Sequence, residues 1–581
     1  MTLFSKPITH VVGPIAVLSS ALLVAPGWAQ PSGRVERRIQ DEQRRDQLRQ
    51  VDQQQLQPQQ PLIEGLPGTP AALPQDSVPS AAPPIKGVEL EGSSLPTPGW
   101  LKPLQERYIS QSATQEVLAK LRADLEAAYE RAQLLVSVGE PLQRADGVVV
   151  APVVEARLGA VRIPSNQAPI SSNWAIATVL DAVGKGQPLR LDKLESALLK
   201  LGDLGGVQAR AELQPGDIAG STDVLLNLRA TRQVQGELNL NNQSTIDTGP
   251  YQAQATLNLN GLAGRGEVLS LFTSYSGNVN WYGSRYAGTN VTLPLTPGGL
   301  NATGSVNWSD YRLLKDQAPF DYKGSFASGS VGLSQVLWRR PRQNLSWNVS
   351  AEVDHFTDEV LGYQYSNRTN WVGRFTLMGD NQDNLFGLGI NSGLLTLSVG
   401  NLGLDGPFEA ELDELGAAKA GAWGKLFGLY RRYQMFRDSR WSVELFSQAQ
   451  VAFNNLDTVE KMSLGWPNGV RAYPPGEALG DSGLSGQLTL RYQLASNLIA
   501  KGFVDGGYIW RWTSSFADGE LPGQLGLWGP GLGLEWGTHG DLLASLDVAW
   551  PLGNNLYSPT GNDVDGLNAS VRVWVSLRKW F

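Results

Sequence analysis

Nucleophilic hydrolysis is the first chemistry that residue types suggest in this chain. Gly480-Asp481-Ser482-Gly483 imitates the neighbourhood of a reactive serine. That reaction needs a histidine base oriented by a carboxylate. The nearest candidate, His355, lies in Glu352-Val353-Asp354-His355-Phe356, a stretch that reads as a strand and lacks the surroundings of such a base. The three histidines, His10, His355 and His539, are far apart, and the chain has no cysteine. Thiol chemistry and cysteine-ligated metal are excluded, and a metal cluster is not expected. No Gly-Lys-Ser/Thr phosphate loop and no His-Glu-x-x-His occurs. The sequence therefore argues for no catalytic residue, no metal and no cofactor.

A pair of charges is more informative. Val470-Arg471-Ala472-Tyr473 opens a stretch rich in Pro and Gly, too irregular for a strand and too aromatic for a solvated linker. Farther on stands Phe503-Val504-Asp505-Gly506-Gly507. With a period of two, Asp505 shares a face with Lys501, while Val504, Tyr508 and Trp510 take the other face. If Arg471 and Asp505 meet in a wet interior, each offsets the other's desolvation. Two separately hydrated charges are the alternative.

The elements that must position this pair begin with an export signal. Residues 1–29 carry Lys6, an apolar run at 11–24 and Gly27-Trp28-Ala29 as small residues around a cleavage point. The apolar run is shorter than the roughly 20 residues of a spanning helix, so entry into a membrane must be as a barrel. Residues 30–57 are polar on all sides, which fits either a disordered arm or a helix that fills a polar cavity. Residues 58–84 form a Pro-rich linker. A net charge of −8 gives no reason to expect nucleic acid as a partner.

Two similar units follow, at 85–157 and 158–230. In the first, residues 88–91 read as a strand. Ser112-Ala113-Thr114-Gln115 starts a helix with Leu118, Leu121, Leu125 and Tyr129 on one face, and strands follow at 134–138 and 148–155. In the second, a strand at 158–163 precedes a helix at 174–183. Asp192 is then expected to cap a helix bearing Leu194, Leu198 and Leu201, before strands at 207–213 and 223–228. Each unit is large enough for a small core and offers sheet edges for strand addition by an extended polypeptide.

From 231 to 581 the period becomes two. Tyr251, Ala253, Ala255, Leu257 and Leu259 oppose Gln252, Gln254, Thr256 and Asn258. Leu484, Leu488, Leu490 and Tyr492 oppose Gln487, Thr489 and Arg491. Strands of about ten residues with an apolar outer and a polar inner face are what an outer-membrane barrel requires, and this length accommodates about 16 of them. The fold class is an all-β transmembrane barrel preceded by two small α+β modules and an N-terminal helix.

With these parts in order, the chain resembles the two-partner secretion transporters of TpsB type, the hemolysin and filamentous-hemagglutinin secretion and activation group of the Omp85 superfamily. Val470-Arg471-Ala472-Tyr473 is similar to the family's Val-Arg-Gly-Tyr/Phe loop signature. Phe503-Val504-Asp505-Gly506-Gly507 is similar to its Phe-x-Asp-x-Gly strand signature. The resemblance implies that the modules are polypeptide-transport-associated (POTRA) modules in the periplasm of a Gram-negative bacterium. It implies a sixth extracellular loop, about 454–483, folded into the lumen with Arg471 paired to Asp505 on the thirteenth strand, supported by Phe503 and Gly507. It further implies that residues 30–57 can plug the barrel and that an unfolded TpsA-type exoprotein, an adhesin or hemolysin, is captured through its N-terminal secretion domain. Trp580 and Phe581 look like the aromatic end read by the barrel-assembly machinery, and the remaining partner is outer-membrane lipid. Ala472 replaces the signature Gly, and Thr489 stands where a lumen-facing Glu is expected. A barrel-assembly insertase and a passive porin are the rival functions.

Overall fold

The computed structural model describes residues 62–64, 83–93, 99, 101–218, 220–278, 282–314, 320–437, 439–516, 522–553, 555 and 561–581. The expected export signal, the polar segment 30–57 and most of the linker 58–84 lie outside the described residues.

A two-residue strand, β1 (Ile63–Glu64), comes first. The first module then contains β2 (Gly87–Glu91), α1 (Lys102–Tyr108), α2 (Gln115–Arg131), β3 (Val136–Val138), β4 (Leu142–Gln143) and β5 (Val148–Glu155). Its helix α2 forms where the apolar spacing predicts it. Thr114 caps the first turn by accepting from Val117 N, and Leu118, Leu121, Leu125 and Tyr129 are all buried. Helix α1 and strand β4 are additions to the sequence reading; both are too short to show a period.

The second module comprises β6 (Arg157–Asn166), α3 (Ser172–Val183), α4 (Leu191–Gly202), β7 (Val207–Pro215) and β8 (Ser221–Ala230). Helix α4 starts after Arg190, so Asp192 is not its cap. The Asp192 carboxylate instead accepts two 3.0 Å bonds from the Arg190 guanidinium, a partner that competes with any backbone amide. Leu194, Leu198 and Leu201 of α4 close the core against Val224 and Leu226 of β8. Strand β1 pairs in parallel with the outer edge of β7, Ile63 opposite Ala211, and Ala211 N donates to Leu62 O at 2.9 Å. Leu62 and Ile63 pack on the same core.

The barrel begins with β9 (Val234–Asn241), β10 (Gln252–Asn260), β11 (Val268–Gly277), β12 (Gly283–Pro294) and β13 (Leu300–Arg312). It continues with β14 (Tyr322–Arg340), β15 (Gln343–Val360), β16 (Tyr363–Asp383), β17 (Gly387–Leu404), β18 (Gly421–Phe436) and β19 (Trp441–Ala452), with helix α5 (Pro407–Leu415) between β17 and β18. A small hairpin of β20 (Met462–Ser463) and β21 (Leu479–Gly480) precedes β22 (Ser482–Ala495), β23 (Leu498–Trp510), β24 (Gln524–Gly537), β25 (Leu542–Ala549) and β26 (Arg572–Trp580). Sixteen of these strands close into an antiparallel barrel, with β26 paired to β9. The alternation holds: Leu484, Leu488, Val504 and Val575 face outward, whereas Gln487, Thr489 and Asp505 are buried inside. The second module docks on the turns at one end of the barrel, where Lys200 Nζ donates to Gly298 O at 2.9 Å and Arg339 pairs with Asp203 at 2.7 Å.

Candidate functional site

The loop between β19 and β22, here L6, covers 453–481 rather than 454–483, because Ser482 and Gly483 already pair with Trp510 and Ile509 on β23. Nearly every L6 residue from 455 onward is buried, which a loop standing in solvent cannot be. Its apolar residues Met462, Leu464, Val470, Ala472, Tyr473 and Ala478 make one cluster with Phe503, Ile509, Leu525, Leu527 and Ala549 of the barrel wall. Polar wall residues satisfy the loop backbone: Gln487 donates to Pro467 O at 3.2 Å and to Gly469 O, and Ser485 donates to Asn468 O at 3.3 Å.

Arg471 sits at the tip. Its backbone N and its Nε both donate to Asp505 Oδ2, at 3.0 and 2.8 Å, and Nη2 donates to Oδ1 at 2.7 Å. Three donors from one residue hold both carboxylate oxygens, the strong bidentate geometry of arginine and carboxylate. Both side chains are buried, at 4% and 0% exposure. The guanidinium lies 3.5 Å from the centroid of the Phe503 ring, a cation–π contact on its apolar flank. Nη2 also donates to Thr489 Oγ1 at 3.0 Å, and Trp574 Nε1 donates to Arg471 O at 2.6 Å.

These contacts explain both departures from the loop signature. Thr489 supplies a neutral acceptor, so Arg471 has one carboxylate among its hydrogen-bond acceptors. Ala472 is absent from the residues with positive φ, and the space for its methyl group is provided by Gly529 of β24, which pairs with Asp505 and whose hypothetical Cβ would lie 2.4 Å from Ala472 Cβ. Gly507 has a similar role on β23: a Cβ there would come within 2.6 Å of Leu464 Cδ2. Sequence reasoning missed Trp574, and it put Gln487 on the polar inner face without naming the loop carbonyls it serves. The signal for Trp574 was present, since period two places this aromatic residue on the inner face between outward Val573 and Val575.

The serine-like motif fastens the loop. Asp481 accepts from Lys461 Nζ, from Leu456 N at 3.1 Å and from Thr513 N at 2.8 Å, so it ties both legs of L6 to the next loop. Ser482 Oγ accepts from Ala452 N at 3.0 Å, and His355 is exposed and hydrogen bonds with Thr369. Among the described residues, no group of three or more His, Asp or Glu is arranged to hold a metal. Trp580 and Phe581 lie at the barrel seam, not at the loop: Trp580 pairs with Glu237, and Phe581 exchanges backbone hydrogen bonds with Gly236. A polar cavity of about 80 Å³ lies next to the Arg471 pair, lined by Asn239, Thr489, Arg491, Lys501 and Glu535 among others. Such a lining does not suit an apolar ligand.

The family described as haemolysin secretion/activation protein ShlB/FhaC/HecB matches residues 220–536. The Heme/hemopexin transporter protein HuxB of Haemophilus influenzae is 22% identical over 484 residues, covering 82% of this chain and 83% of that protein. The outer membrane transporter CdiB of Escherichia coli O6:K15:H31 is 24% identical over 424 residues, covering 70% and 68%. Among solved structures, CdiB from Escherichia coli aligns with a TM-score of 0.72 at 20% identity over 94% of this chain and 99% of that one. CdiB from Acinetobacter baumannii aligns with 0.65 at 17% over the same shares. The chain belongs to the haemolysin secretion/activation family, the outer-membrane barrel transporters of two-partner secretion with periplasmic POTRA modules.

Proposed function

We propose that this transporter recognises the N-terminal secretion domain of one large TpsA-type exoprotein by strand addition to its POTRA modules, and that L6 is the latch on the path through the barrel. The cargo is of the adhesin or hemolysin class, and the family description names haemolysin. Barrel-assembly machinery inserts the transporter in the outer membrane. The observation that carries the latch is the buried bidentate contact of Arg471 with Asp505, on an otherwise buried loop inside a polar lumen.

Removing one partner leaves the other charge buried and unpaired, at a cost of about 3–5 kcal/mol to that loop position. Arg471→Ala or Asp505→Ala is therefore expected to lower secretion of the exoprotein while barrel insertion persists. Secretion at the wild-type level in both variants overturns the latch.

A further inference from the structure

L6 is fastened at a second place, on its first leg, by groups that the tip does not touch. Asp457 receives Arg368 Nη1 of β16 on both oxygens, each at 2.6 Å, and Lys419 Nζ at 3.1 Å. Arg368 is completely buried. It also lies 3.4 Å from Asp358 of β15 and 3.8 Å from Glu409 of α5, with Phe356 beneath its guanidinium at 4.9 Å. One turn on, Glu460 receives Arg374 Nη2 of β16 at 2.9 Å and Lys425 Nζ of β18 at 2.6 Å. Arg374 is shared with Glu352 of β15 at 3.2 Å. Between the two carboxylates, Val459 inserts its side chain against Phe326 and Phe356.

The distances rank these contacts. Asp457 is nearer to Arg368 than either wall or helix carboxylate, so withdrawal of the leg removes the shortest partner of a fully buried cation. The same withdrawal parts Lys425 and Arg374 from Glu460. Breaking buried pairs on one side is strongly unfavourable unless water enters with the change. We propose that Arg368 and Arg374 are positioning residues that form a second latch, holding the first leg of L6 on the β15–β16–β18 wall independently of Arg471. Release of the tip alone then leaves the loop seated, and passage of cargo requires both latches to open. The inference rests on the transport reading above, but its test needs no cargo, so the two can fail separately.

The absence of cysteine makes a single reporter possible. Val459→Cys in the full-length transporter, purified in detergent micelles, places a thiol at a position only 3% exposed, and its reaction rate with a maleimide reports exposure of the leg. Adding Arg368→Gln or Arg374→Gln is expected to raise that rate about tenfold or more, as for loss of a buried ion pair. Arg374→Lys should retain most of the protection, and Arg471→Ala should leave the rate unchanged. Heat-modifiable migration identifies the assembled barrel, and Lys425→Met provides a milder variant, with a smaller rise, should either arginine variant fail to assemble. An unchanged rate in the assembled Gln variants, or in Lys425→Met where it replaces them, overturns the second latch; so does an equal rise with Arg471→Ala, which would mean a single latch.

Discussion

At the scale of residues, the tip of L6 depends on where acceptors stand on β22 and β23. Thr489 and Asp505 approach the same guanidinium from neighbouring strands, Thr489 through one hydroxyl and Asp505 through a carboxylate. An aspartate at 489 would place a carboxylate within reach of Arg471 Nη2 with little change in volume. Thr489→Asp is therefore expected to restore part of the secretion lost in Asp505→Asn, because the charge lost from β23 is resupplied from β22. Secretion by the double variant no better than by Asp505→Asn would show that the site requires its acid on β23. The Arg471 and Asp505 pairing was legible because two short signatures mark it. Thr489 as an acceptor was not, since a neutral residue carries no charge signal. Asp457 and Glu460 were illegible for another reason: their arginine partners lie about 90 residues away on β16, and only barrel closure brings them together.

At the scale of elements, period explains what could be read and what could not. Helix α2 and strand β5 came out of the sequence because each repeats its apolar residues over several turns or alternations. Strand β1 has two residues and no period, yet it covers the edge of β7 in the second module. A sheet edge is where an extended polypeptide adds by backbone pairing, and Ile63 contributes apolar contact as well as a backbone position. Ile63→Asp puts a charge against that core and should detach β1. The expected outcome is faster backbone amide exchange at Ala211, whose N–H is bonded to Leu62 O, with the module still folded. Unaltered exchange at Ala211 would mean that β1 is held by its flanking chain rather than by its side chains.

At the scale of the whole molecule, the barrel is unequal around its circumference. The β15–β16 ladder pairs Gln343 with Asn381 at one end and Val360 with Tyr363 at the other, whereas the closing ladder of β26 and β9 runs only from Ser576 to Trp580. The polar lumen and the docked modules follow from alternation and turn placement, so the barrel as a class was readable; the length of each ladder was not, because register depends on pairing partners. Deletion of residues 34–56 is expected to raise ion conductance in planar bilayers if that segment fills the lumen, and equal conductance would exclude it as a plug. Phe581 tests the seam itself. Its N–H donates to Gly236 O at 3.0 Å and its carbonyl accepts from Gly236 N at 2.9 Å, while its ring occupies the space where a side chain at 236 would go. The ring and the backbone can be separated experimentally. Phe581→Gly removes the aromatic group and keeps both hydrogen bonds; removal of Phe581 loses both, each worth about 0.5–1.5 kcal/mol. Both variants should lower the amount of assembled barrel if the ring is read during assembly. Only the deletion should lower the temperature at which the assembled fraction loses its heat-modifiable migration, because only it shortens the ladder that closes the cylinder. Equal unfolding temperatures for the two variants would assign Phe581 to assembly alone and leave closure to the β26–β9 ladder from Ser576 to Trp580.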